Sequence, residues 1–456
     1  MKLKRSFIPM VYLLAVLFLA PARLTAQTVT EDGATLSLSL KEAVEIALEQ
    51  NFAIEQAQFD IEKTRAQYRQ TNAVFLPQLS FEYNAVSTTD PLNVFGFKLK
   101  QEVVSQQDFN PALLNDPDAY ENYSAKFELR QPLFNPDMMM QRGAVKSQLN
   151  SAGEQLQGTR NYIRYQVRNQ YYSLLLHTRQ LEVLESALKT AAEHRRQALN
   201  FFEEGLISRQ DFLASRVYEL EMESRKIQTE NQLENVRQEM ALLLGLSGTV
   251  AVVPTESLQI TEGVNIPSDL INIRVNNAQT RAVDYRVQAA GQMARSARFS
   301  FLPKINLFGS YEYNDSGFAG FGANSYMIGA NLRWNIFSGF SQAGKIMEAR
   351  ADLKKAKSMQ QSHLFEMENS VRNAYRTLQH AEKELELTRE AISQSTEDVK
   401  IRSNRYREGM ERTTDLLEAE TKLAESRLKN VMALYQYNMS IAALEMLLEQ
   451  NFTNQP

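Results

Sequence analysis

The chain has 456 residues with no cysteine, only four histidines and a formal net charge of −4. The fold therefore contains no disulfide, and the absence of a basic block or zinc-like spacing argues against a nucleic-acid partner. We expect no enzyme and no bound metal or cofactor, because the chain lacks a glycine-rich phosphate loop, a serine elbow and histidine pairs at helical spacing.

The first 26 residues have the pattern of a signal peptide. Three basic residues lie within the first five positions, an apolar run covers 8–20, and Leu24-Thr25-Ala26 resembles a cleavage site. The apolar run is shorter than the roughly 20 residues that a membrane-spanning helix needs, and a retained membrane anchor is the alternative. We predict a signal peptide at 1–26 and a mature chain with a formal charge of −8.

One ordered set of landmarks occurs twice in the chain. Phe75-Leu76-Pro77 returns as Phe301-Leu302-Pro303, and Phe202-Glu203-Glu204-Gly205 returns as Tyr406-Arg407-Glu408-Gly409. The preserved order indicates a duplication, and a unit of roughly 200 residues is too long for a solenoid. We predict a first structural repeat at 27–245, a linker at 246–267, a second repeat at 268–450 and a polar tail at 451–456.

Each repeat is predicted to contain a helix, two strands, a long helix and a shorter helix. Helical periodicity places the opening helices at about 40–73 and 268–301. Alternation of apolar and polar residues places strands at about 78–87, 123–132, 304–314 and 325–337. Helical hairpins follow at about 137–244 and 342–448.

The predicted strands are about ten residues long, which is enough to cross a bilayer at a tilt. A half-buried sheet of a soluble protein has the same alternation, so the period alone does not separate the two structures. The loops between paired strands differ sharply in length, with a long excursion at about 87–122 and a short connection in the second repeat. Long loops on one side are typical of outer-membrane barrels.

The long helices carry a coiled-coil pattern. Val167, Leu174, Leu181 and Leu188 recur every seven residues, which indicates packing along a heptad seam. The opening and returning helices of a repeat are each about half as long as the long helix. We therefore predict that two shorter helices stack end to end along each long helix.

A family resemblance is carried by Ser39-Leu40-Lys41-Glu42-Ala43-Val44, the two Phe-Leu-Pro segments and Trp334-Asn335-Ile336-Phe337-Ser338-Gly339-Phe340. Together, in their order and duplication, they resemble the TolC-type outer-membrane efflux proteins over essentially the whole mature chain. The resemblance implies a mostly α protein with a membrane β-barrel. Three chains would supply four strands each to a trimeric 12-stranded barrel, which stands on a long α-helical periplasmic tunnel.

The resemblance also implies a function and its partners. The chain would be an outer-membrane exit duct of a tripartite efflux or type I secretion system, passively conducting substrates from an inner-membrane pump across the periplasm. A periplasmic adaptor (membrane fusion protein), the pump and outer-membrane lipid are the implied partners of the homotrimer. The alternative is a periplasmic coiled-coil adaptor or scaffold, against which the two hairpins and the duplicated strand pairs argue.

In this family the turns between long and shorter helices form the periplasmic tip. The resemblance implies adaptor contact at the corresponding residues here: Gly205, Leu206, Ser208, Gly409 and Met410. Each glycine is predicted to end its long helix in a left-handed conformation.

Acidic residues near these turns match the acids of the family's tip. Asp211, Asp415 and Glu418 would line the lumen, and Asp415 and Glu418 share one helix face because they lie three residues apart. The alternative is that the aspartates are ordinary first-turn acids favoured by the helix dipole.

The family's best-known member has an arginine two residues after the glycine of the second turn; this chain has Glu411 there, with Arg412 following. The resemblance therefore implies a substitute network at the tip. In it, Asp211, Tyr406, Glu411 and Arg412 would help to hold the tip closed.

Overall fold

The structure, a computed structural model, describes residues 35–261, 264 and 275–452. The predicted signal peptide lies outside the described residues, as do parts of the predicted linker, of the predicted helix at 268–301 and of the tail. The helices are α1 Leu40–Gln50, α2 Phe52–Gln70, α3 Pro91–Lys100, α4 Pro111–Asn115, α5 Pro136–Glu203, α6 Arg209–Leu243, α7 Ala278–Phe299, α8 Ser341–Arg407 and α9 Thr413–Leu448. The strands are β1 Thr35–Leu38, β2 Gln78–Thr88, β3 Tyr120–Phe134, β4 Ala251–Pro254, β5 Lys304–Asp315 and β6 Ala323–Arg333.

The four long strands form one antiparallel sheet in the order β2-β3-β5-β6. The central pairing of β3 with β5 joins the two repeats, with Lys126 opposite both Glu82 and Glu312. The prediction of a last strand reaching 337 is wrong, because β6 ends at Arg333. Its partner strand β5 begins at Lys304, opposite Arg333, so β5 has no residue left to pair with 334–337.

Two very long helices carry the rest of the fold. α5 has 68 residues and α8 has 67, so each is about 100 Å long. The heptad residues Val167 and Leu174 are fully buried between α5 and its neighbours. α1, α2 and α6 pack along α5, α9 packs along α8, and α7 packs against both α5 and α8. Within the described ranges, every helix is too short or too polar to cross a bilayer.

The prediction of one continuous helix at 40–73 is wrong. Asn51 has an extended backbone between α1 and α2, and its side chain accepts a hydrogen bond from the Ala53 amide at 2.9 Å. The same side chain donates to the Leu243 carbonyl at the end of α6, at 2.8 Å. An asparagine side chain can replace backbone partners in this way, so it ends one helix and caps the next.

The second repeat has a matching joint. Asn277 caps α7 by accepting from the Thr280 amide at 2.9 Å and donates to the Leu447 carbonyl at 3.1 Å. Beyond α9, Glu449 adopts a left-handed φ of 53°. Phe452 is buried against this joint, so the described part of the tail is not purely polar.

A small parallel sheet was not predicted from the sequence. β1 pairs with β4, and this places part of the predicted linker beside the start of the first repeat. Val252 of β4 is fully buried in the core that α1, α5 and α6 share. The linker therefore contributes to the helical core.

Candidate gating site at the hairpin tips

Each long helix ends in the same backbone turn, which we call tip 1 (residues 201–212) and tip 2 (residues 402–415). Gly205 has a φ of +76° and Gly409 one of +73°. In tip 1 the Leu206 amide donates to the Phe201 carbonyl at 2.8 Å, and in tip 2 the Met410 amide donates to the Arg405 carbonyl at 2.9 Å. These are the bonds of a Schellman motif, so the predicted left-handed glycine caps are confirmed.

Tip 1 starts its returning helix with a capping box. The Ser208 hydroxyl accepts a hydrogen bond from the Asp211 amide at 3.2 Å and donates to the Asp211 carboxylate at 2.6 Å. The carboxylate also accepts from the Ser208 amide at 3.3 Å. The charge of Asp211 is therefore directed into its own turn, which stabilises the start of α6.

Tip 2 has no such hydroxyl, because Arg412 occupies the N-cap position without a side-chain cap bond. Its guanidinium instead donates two hydrogen bonds to Asp415, at 3.1 Å and 3.2 Å. This bidentate contact lowers the pKa of Asp415 and raises that of Arg412. The two returning helices thus begin at equivalent positions with different chemistry.

Glu411 is the centre of a second ion-pair group in tip 2. Its carboxylate lies 3.2 Å from the guanidinium of Arg402 and 2.9 Å from that of Arg405. The Glu411 side chain is only 11% exposed, whereas Arg412 points into solvent. Arg402 and Arg405 were not identified from the sequence, although their spacing of three places both on one face near the end of α8.

Tyr406 forms the buried centre of tip 2. Its hydroxyl accepts a hydrogen bond from Thr413 at 3.3 Å, and its ring lies 5.7 Å from that of Phe201 in tip 1. Burial raises the pKa of Tyr406, and the nearby charge of Asp211 raises it further. Among the described residues no hydrogen bond joins Asp211 to Tyr406 or Arg412. The structure therefore brings these residues near one another but divides them between separate hydrogen-bond groups.

The remaining predicted tip residues are accessible. Leu206 is 67% exposed and Met410 is 61% exposed, so each turn presents an apolar side chain to its surroundings. Glu418 is exposed one turn beyond Asp415 on α9. Across the described ranges, histidine and acidic side chains nowhere form a group of three suited to hold a metal ion.

Residues 43–246 and 270–449 match the family model described as outer membrane efflux protein. The chain belongs to this family. It is accordingly an outer-membrane exit duct for efflux that extends into the periplasm, and it is not an enzyme. The comparisons give no support to the alternative of a periplasmic adaptor or scaffold.

Individual relatives agree with this assignment. The chain is 25% identical over 409 residues to outer membrane protein OprJ of Pseudomonas aeruginosa, across 84% of this chain and 78% of the relative. The structure of VceC from Vibrio cholerae is similar with a TM-score of 0.77 at 18% identity, covering 91% of this chain and 96% of VceC. The CmeC outer membrane channel of Campylobacter jejuni gives a TM-score of 0.78 at 16% identity, over 91% and 87% of the two chains. At these identities the two structures show the shared fold.

Proposed function

We propose that three copies of this chain join their sheets into a closed 12-stranded barrel in the outer membrane and their helices into one periplasmic tunnel. The observation that carries the proposal is the four-stranded sheet, whose outer strands β2 and β6 each have 11 residues and one edge without a partner in the described chain. An unpaired edge is a template for another strand, and closure into a ring removes every edge.

The two faces of the sheet support this arrangement. Leu79, Phe81, Tyr326 and Ile328 lie on one face and are each more than half exposed in the single chain. The opposite face carries Glu82, Lys126 and Glu312 in one row. Apolar residues outside and polar residues inside are the pattern of a barrel in lipid.

At the other end of the duct, the tips are the proposed gate. The acids Asp211, Asp415 and Glu418 would face the passage, while Tyr406, Glu411 and Arg412 hold tip 2 closed. A constriction lined by acidic side chains in three copies favours cations. Glu418 is exposed and fits this role best, whereas Asp211 is held by Ser208 and Asp415 by Arg412.

The tips are also the proposed docking site for a periplasmic adaptor, which would connect the duct to an energy-supplying inner-membrane pump. Gly205, Leu206 and Ser208 in tip 1, and Gly409 and Met410 in tip 2, form the two turns that a partner would meet first. Leu206 and Met410 supply exposed apolar contacts at equivalent positions. Such contacts contribute to binding when a partner removes them from water.

The mature chain, purified in detergent and measured by native mass spectrometry, tests the proposal. We expect a trimer that needs detergent to stay in solution. Ile328→Lys places a charge on the apolar face and should strongly reduce trimer yield, because a charge in the bilayer core costs about 2–4 kcal/mol. Met327→Lys changes the neighbouring residue on the polar face and should preserve the trimer. A monomer that is soluble without detergent would contradict the proposal.

A further inference from the structure

The connection between β2 and β3, residues 89–119, is an ordered unit that we call the excursion. It contains α3, a 3-10 turn at Gln106–Phe109 and α4. The rings of Phe95 and Phe109 lie 5.6 Å apart, and Val94 in α3 is buried. Lys98 and Asp108 form an ion pair of 2.7 Å across the unit. The excursion is therefore held together by a ring contact and an ion pair within its own residues.

The end of α3 is anchored to the sheet by a chain of buried amides. Gln101 donates to Asn122 of β3 at 2.9 Å, and Asn122 donates to Asn314 of β5 at 3.0 Å. These three side chains are 7%, 3% and 1% exposed. The hydroxyl of Tyr120 donates to Gln101 at 2.6 Å, and Lys100 pairs with Glu312 at 3.0 Å. Buried amides need such partners, so the anchor fixes where the excursion sits.

The anchor lies on the polar face of the sheet. Asn314 is opposite Ser124, and Glu312 is opposite Lys126, so these four side chains share one face. The aromatic and aliphatic residues that would contact lipid, including Phe81, occupy the other face. In a closed barrel the polar face lines the interior, and the excursion therefore extends from the rim toward the inside.

The second strand connection provides a contrast at the same end of the sheet. Residues 316–322 join β5 to β6 in a short turn, and Asp315 fixes it by accepting hydrogen bonds from Gly317 at 2.8 Å and Gly322 at 2.9 Å. This turn lacks the length to cover the polar face. The two repeats thus differ at this end of the sheet mainly in the excursion, which has helices of its own and is anchored to the sheet.

We propose that the excursion is a size-selecting constriction at the outer mouth of the duct, seated by the amide chain of Gln101, Asn122 and Asn314 and by the Lys100–Glu312 pair. This inference rests on the proposed closed barrel and adds a second selective element at the end opposite the tips. Three anchored excursions, one from each chain, narrow the outer mouth of the barrel. Bulky solutes outside the cell are then excluded, while small solutes pass. Bulky cargo leaving the duct must displace the excursion from the sheet. Water then takes the place of the hydrogen bonds between Gln101 and Asn122.

A single-cysteine assay tests the mouth separately from the tips, because the natural chain has no cysteine. Ser310→Cys places a thiol on the polar face, two residues from Glu312 in the direction of the helices. Ser316→Cys places one at the exposed rim as the matched control. Intact cells are treated with a small maleimide or with a maleimide carrying a polyethylene glycol chain, and labelling rates are compared.

We expect both reagents to label the rim position and only the small reagent to label Ser310→Cys. Adding Lys100→Ala and Gln101→Ala should raise labelling of Ser310→Cys by the large reagent roughly tenfold or more. Without these side chains, Asn122 loses a buried hydrogen-bond partner, and the equilibrium between the anchored and the displaced excursion shifts toward the displaced state by about that factor. Equal access of the large reagent to both positions in the natural sequence would overturn the inference. So would excursion variants that leave its rate unchanged.

A charge exchange controls for misfolding. Lys100→Glu alone should admit the large reagent, and the added change Glu312→Lys should exclude it again. Trimers are scored on the same samples by gel mobility before and after heating. Trimers with unchanged labelling reject the constriction and leave the duct intact, whereas absence of a trimer in the natural sequence rejects the duct itself.

Discussion

The two hairpin tips share one backbone and differ in what holds it. Tip 1 is closed by a hydroxyl–carboxylate capping box and by stacked rings of Phe202 and Phe212, which lie 5.8 Å apart. Tip 2 is closed by ion pairs in which Glu411 and Asp415 each face arginine. Both turns need a left-handed residue, and glycine supplies it in each.

The difference shows which features of a duplicated unit are constrained. The position of the glycine is fixed by backbone geometry, whereas the side chains around it only need to satisfy the start of the returning helix. A capping box does this with short-range hydrogen bonds that salt hardly affects. Ion pairs do it with charges that salt screens, most strongly at the exposed Arg412. Tip 2 is therefore the half of the gate whose stability should depend on salt concentration.

Replacing the turn glycines should produce the largest effect and the same effect in both tips. Gly205→Ala and Gly409→Ala each force alanine into a left-handed conformation, which costs about 1–2 kcal/mol. Apart from the flanking residues, no heavy atom of the described chain lies within 4 Å of the added Cβ at either position, so we expect the backbone strain to dominate. Hydrogen exchange of the tip amides, followed by mass spectrometry, should show faster local opening in both variants.

Gly248→Ala is the matched control, because its Cβ also meets open space while its φ lies outside the left-handed region. Its exchange rates should match those of the natural sequence. Clearly unequal losses in the two tips would show that the shared turn does not set their stability.

Ser208→Ala should give the next largest effect, and it should be confined to tip 1. Loss of an N-cap hydroxyl costs about 1 kcal/mol, and here the Asp211 carboxylate also loses a partner. Arg412→Ala, at the equivalent position of tip 2, removes no cap bond and should open its tip less. Comparing exchange at low and high salt completes the test. The Arg412→Ala effect should vanish in high salt while the Ser208→Ala effect persists, and the reverse order would refute the comparison.

Much of the architecture could be predicted because it follows from periodicity. The strand pairs and long helices repeat apolar residues at fixed spacings, and duplication provides each signal twice. The break at Asn51 was missed because its cause is a bond to Leu243, which lies far away in sequence. The pairing of β1 with β4 and the helices of the excursion were missed because these elements are too short to show a period.

At the candidate site, the sequence predicted backbone features better than side-chain partners. Gly205 and Gly409 were correctly placed in left-handed turns, because few other residues tolerate that conformation. The partners of Glu411 were missed, since they depend on how the turn returns the chain to Arg402 and Arg405. Asp211 was assigned to a network with Arg412 although Ser208, three residues before it, forms the nearer capping box. The hydrogen bonds between Asp211 and the nearby Ser208 therefore form in place of the predicted contact between Asp211 and Arg412.

Acid should give the smallest of the three effects, which we derive for tip 2. Arg412 lowers the pKa of Asp415 below its ordinary value of 3.8. A lowered folded pKa means that the ion pair contributes fully above the ordinary value and is lost as pH falls through the lowered one. Exchange in tip 2 should therefore stay constant from neutral pH to about pH 5 and rise only below the ordinary aspartate range, after correction for the intrinsic pH dependence of exchange.

The same carboxylates should set cation block of the channel in planar bilayers. Asp415→Asn combined with Glu418→Gln should weaken block by a trivalent cation several-fold, because two of the three acidic charges that each chain brings to the proposed constriction disappear. Glu425→Gln, an exposed acid two turns further along α9, is the control and should leave block unchanged. Block in the natural sequence should persist at pH 5, since Asp415 keeps its charge there. If the cation blocked the double variant as strongly as the natural sequence, Asp415 and Glu418 would not line the passage, and the ion pair with Arg412 would only stabilise the start of α9.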